Sequence, residues 1–106
     1  MSTQLTAIIE PFVKRGIFES PEKAVAEMAR DYVLHQIERY RTKVEQYETQ
    51  YGMRYEQFQT YLQARTTHLT THPSPELHQA IMEEEEDALN WKIARDMLNN
   101  WLGLQN

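Results

Sequence analysis

Histidines and a run of carboxylates are the side chains with enough chemistry to weigh first. His68 and His72 stand four apart, with His78 six further on, and four-apart imidazoles on a helix can close on zinc or nickel. The stretch Leu69-Thr70-Thr71 and the following Pro73 read instead as a frayed helix end or loop, where such a pair is solvated, so neither a metal site nor a cofactor is expected. A di-iron bundle fails a direct test. That site needs Glu-x-x-His, and the residues three before His35, His68, His72 and His78 are Tyr32, Arg65, Leu69 and Pro75. Three glycines cannot build a phosphate-cradling loop, and no serine–histidine–acid order is present. The absence of cysteine removes thiolate nucleophiles, thiolate zinc sites and disulfides together. No enzyme is expected.

The densest charge is Glu83, Glu84, Glu85, Glu86 and Asp87. Neighbours on a helix point about 100° apart, so five in a row form no acid–base pair; they make a solvated collar or a docking surface for a basic partner. The block directly precedes Trp91, Ala94, Met97, Leu98, Trp101 and Leu102, which share one stripe at helical spacing. Both tryptophans of the chain lie in this stripe. It is either packed against the chain's own helices or laid in a partner's groove, where tryptophan is the most over-represented anchor.

Helices must carry these groups. Ser20-Pro21-Glu22 and Ser74-Pro75-Glu76 repeat one start signal: a capping hydroxyl, a proline at the first helical position, and an acid in the first turn. After Ser20 no glycine or proline interrupts until Gly52, and Val33, Ile37, Tyr40, Val44, Tyr47 and Tyr51 recur at spacings of four and three, a heptad seam. Gly52 ends or kinks this helix, and Tyr55, Phe58, Tyr61 and Leu62 mark another amphipathic piece. The threonine- and proline-rich stretch 66–75 reads as a linker. Near the N-terminus, Leu5, Ile8, Ile9, Phe12 and Val13 fit a helical stripe better than strand alternation. Pro11 opposes a helix there, whereas Gly16 suits its left-handed end.

The long helix bears on assembly. Residues 21–51 would span about 45 Å, against about 33 Å for a compact domain of this length. A seam that overshoots its own domain most simply pairs with the same seam of a second copy, giving a homodimer, or with a partner's helices. The alternative is a last helix folded back along it, with Gly52 as the hinge. The expected fold is all-α: a long-helix hairpin or bundle dimerising through its N-terminal helices, with a separate C-terminal amphipathic helix. Residues 1–65 would form the dimerisation domain, 66–74 the linker, and 75–106 the acidic partner-binding helix.

Charge narrows the partners. Residues 1–50 carry 7 Lys and Arg against 8 Asp and Glu, and residues 51–106 carry 4 against 8. The acidic second half argues against general nucleic-acid binding and favours a basic protein. No apolar run approaches a membrane span, and Met1-Ser2-Thr3-Gln4-Leu5 lacks a signal-peptide layout, so a cytoplasmic location is expected.

One segment resembles a known family. Gly16, Phe18, Ser20, Ala24 and Val25 match in order the turn between the two helices of ribbon-helix-helix antitoxins of the ParD kind. The resemblance spans about residues 5–35. It implies a dimer through the first two helices and an acidic C-terminal arm, residues 75–102, that wraps and neutralises a basic toxin. An antitoxin-like protein is therefore the expectation. A structural coiled-coil adaptor or assembly factor is the alternative, and a DNA-binding repressor a third reading.

Overall fold

The structure is a computed structural model and describes residues 3–105; Met1 and Ser2, cited above for the N-terminus, lie outside the described residues. These described residues form four helices in order: α1 (Thr3–Lys14), α2 (Pro21–Tyr51), α3 (Tyr55–Thr71) and α4 (Pro75–Leu102). Among the described residues there is no strand.

Local chemistry sets the ends. The Ser20 hydroxyl accepts from Lys23 N–H at 3.2 Å, and the Ser74 hydroxyl accepts from Leu77 N–H at the same distance. Each cap satisfies an amide left orphaned in a first turn. Helix α1 accommodates Pro11 and stops at a glycine turn: Gly16 sits at φ 74°, Gly16 N–H donates to Val13 and Ile17 N–H to Phe12. That pair of bonds needs a left-handed residue, which glycine adopts without a Cβ clash. Gly52, at φ 65°, closes α2 by donating to Glu48.

The expected linker at 66–74 is corrected. Helix α3 runs on through Thr66 to Thr71, leaving only residues 72–74 between helices. Threonine is a weak helix former, yet here Thr67 donates back to the Gln63 carbonyl, Thr70 to Thr66 and Thr71 to His68. These bonds occupy the hydroxyls that otherwise compete with the helical backbone.

Helix α4 packs on both α2 and α3, while α1 packs on α2. Cross-helix pairs give the directions. Tyr51 meets Asp87, Tyr47 meets Trp91 and Tyr32 meets Trp101, so α4 runs antiparallel to α2. Arg65 meets Glu84, Phe58 meets Trp91 and Glu56 meets Arg95, so α4 is antiparallel to α3 as well. Helices α2 and α3 therefore run in the same sense, staggered along α4. The chain reverses at 72–74; Gly52 is a jog and not the hinge of the hairpin. The result is a rod of 69 × 23 × 19 Å with a radius of gyration of 21.9 Å. An elongated molecule resolves the length of α2 without requiring a second copy to cover its seam.

Candidate interaction surfaces

Two stripes singled out for two different partners pack on one another. Of the α2 seam, Ile37 is buried and Val33, Tyr40, Val44, Tyr47 and Tyr51 are half-buried. Of the α4 stripe, Trp91 and Ala94 are buried and Met97, Leu98, Trp101 and Leu102 are half-buried. Trp91, fully enclosed, is the centre of the contact. Tyr47 and Tyr51 of α2 stack on it with centroids at 5.6 and 6.2 Å, and Tyr55 and Phe58 of α3 meet it edge-on at 5.6 and 5.5 Å. Offset stacked and edge-on contacts are the arrangements the ring quadrupoles favour. Leu62 completes the buried cluster, with Val44, Met53 and Ala88 packed against it. Both stripes are thus intramolecular core over their shared length.

The tryptophan N–H groups at 91 and 101 are buried with no hydrogen-bond acceptor. An orphaned donor costs about 1–3 kcal/mol, so the indoles serve by ring area.

The acidic block divides. Glu84 pairs with Arg65 at 2.7 Å, both largely covered. Asp87 accepts from the Tyr51 hydroxyl and, at 3.3 Å, from the Gln50 amide. Burial first, then the hydrogen bond and charge of Asp87, pushes the Tyr51 phenol well above its ordinary range. Glu83, Glu85 and Glu86 point to solvent. Further along, Arg95 holds Glu56 at 2.7 Å and lies 4.6 Å over the Tyr55 ring. The Glu56 carboxyl is held below the usual range by its own backbone N–H and then by Arg95.

The periodicity missed a second stripe on α4. Met82, Leu89 and Ile93 are 52%, 59% and 50% exposed. Each lies about 160–180° around the helix from Trp91, at the 100° per residue of an α-helix. Their spacings of seven and four are a legible signal, masked by the stronger tryptophan stripe. A comparable surface occurs on α1, where Ile9 is buried but Leu5, Ile8 and Phe12 are exposed, as is Ile17 beyond the helix.

His68 and His72 stack with centroids 4.5 Å apart, and His72 Nδ1 lies 2.9 Å from the Thr71 hydroxyl. Among the described residues no group of three or more potential ligands could hold a metal ion, and no helix is long and apolar enough to cross a membrane. No model of a known protein family, no curated protein and no solved structure matches the chain.

Proposed function

We propose that the chain is a non-catalytic protein-binding protein of the antitoxin kind, holding a basic protein on the acidic side of α4. The observation that supports this reading is the fate of the charge block: Glu84 is paired with Arg65 and Asp87 is hydrogen-bonded by Tyr51 and Gln50, while Glu83, Glu85 and Glu86 stay exposed to solvent within one turn. A grouped negative field speeds encounter with a basic partner. The partner meets charge on a folded rod, because the tryptophan face that a free arm would offer is turned inward.

Pairing of copies falls to another surface than the α2 seam. Helix α1 has twelve residues and one buried side chain, and isolated helices below about 12–15 residues are marginal in water. Its open apolar side chains need a cover. Residues 3–20 carry Glu10 and Glu19 against Lys14 and Arg15, a neutral balance that suits an identical partner better than a strongly charged one. A homodimer through α1 and the start of α2 follows, as the family resemblance also implies.

Co-expression tests the function. A small basic protein encoded beside this gene should arrest growth alone and be tolerated when this chain is co-expressed and co-purifies with it. Continued arrest, with no complex, would overturn the antitoxin role. The adaptor reading is favoured by one observation: the rod is apolar and neutral near α1 but acidic toward α3, so it presents unlike surfaces along its length.

A further inference from the structure

We infer that the outer face of α4 is the seat of an amphipathic helix with lysine or arginine along its flanks, supplied by the partner. This rests on the reading of α4 as the partner-binding helix and assigns the face and the shape of its occupant. Met82, Leu89 and Ile93 form the centre of the face, each about half exposed. By helical geometry Glu85 and Asp96 border it on one side and Glu86 on the other, each about 40–60° from its midline. An apolar seam edged by charges is the pattern with which one helix takes another, the apolar residues interdigitating and the flanking charges selecting orientation and partner.

The charge singles out the occupant. Between residues 82 and 96 the exposed ionic side chains are Glu83, Glu85, Glu86 and Asp96 against Lys92. Two copies of this face would oppose carboxylate to carboxylate, which disfavours self-pairing. A neutral or acidic helix would leave the borders unmatched, whereas a basic helix meets a complementary charge on both sides. The inner face cannot compete for the same helix, because Trp91 is already buried by α2 and α3 and Ala94 is buried as well.

The test uses the full chain and labelled synthetic peptides of about 18 residues, or five turns. One peptide has a leucine seam with lysine flanks; its twin has glutamate flanks. Fluorescence anisotropy should show binding of the lysine peptide alone. Leu89→Ser with Ile93→Ser should weaken it at least tenfold with helicity and urea midpoint retained, since both side chains are surface in the free chain. Glu85→Gln, Glu86→Gln and Asp96→Asn together should weaken it at low salt and change little at high salt. Equal binding of both peptides, or unchanged affinity in the serine variant, would overturn the inference. So would a fall in sedimentation mass of the free chain on the serine substitutions, which would make a second copy the occupant. The two readings fail separately: a serine variant that still neutralises a co-expressed basic protein removes the outer face as the contact, whereas a wild-type chain that neutralises none removes the antitoxin role.

Discussion

The Tyr51 hydroxyl donates to the carboxylate of Asp87, thirty-six residues away, and so ties the last turn of α2 to the middle of α4. Burial and that carboxylate hold the phenol protonated above its usual range, whereas in the unfolded chain it ionises near pH 10, roughly the free tyrosine value. The unfolded state then releases a proton that the folded state keeps. Stability from this group is present below about pH 10 and is lost as the pH rises further. Urea midpoints measured between neutral and strongly alkaline pH should fall more steeply for the wild type than for Tyr51→Phe. Parallel slopes would separate Tyr51 from the alkaline loss.

Trp91→Ala should cost about 3–5 kcal/mol, the range for deleting a large buried ring, because Trp91 joins three helices at once. Trp91→Phe should cost clearly less, since it keeps a ring and removes an orphaned N–H. Equilibrium urea denaturation checks both, and an unchanged midpoint for the alanine variant would place Trp91 outside the core.

Ile37→Asp should unfold or strongly destabilise the chain at any protein concentration, because it buries an unpaired charge inside one molecule. If α2 seams paired between copies, the loss would instead lessen as concentration rises. Thermal melts over a hundredfold dilution separate the two outcomes.

Ile8→Asp, on the exposed side of α1, should leave the unfolding free energy of a single copy within about 0.5 kcal/mol of wild type and abolish pairing of copies. Sedimentation velocity at micromolar concentration reads this directly. A wild type that sediments as a monomer throughout that range would contradict the α1 interface.

The features legible in the chain are those fixed by one or two neighbouring residues. A serine before a proline and an acid caps a helix wherever it occurs, which is why Ser20 and Ser74 start α2 and α4 as read. Glycine at a positive φ ends one, as at Gly16 and Gly52. Periodicity likewise identified the inward faces, since Ile37 and Trp91 are buried. It did not identify their partner: a heptad stripe says that apolar surface will cover it, and a second copy and the chain's own α4 satisfy it equally. The threonine segment was misread because propensity averages over contexts, whereas Thr67 and Thr70 bond back to their own helix. The outer stripe at Met82, Leu89 and Ile93 escaped because α4 is apolar on two sides, and one strong face conceals a weaker one.

The pairing of α2 with α4 of the same chain underlies every surface assigned above, and the absence of cysteine makes it directly measurable. Gln46 of α2 and Asn90 of α4 line one open groove between these helices. With Gln46→Cys and Asn90→Cys introduced together, a short bis-maleimide should join the two cysteines within single chains, in a yield independent of dilution, as read by intact mass. Two-chain products that dominate and disappear on dilution would show that α4 covers a partner's α2 instead, and would contradict the account.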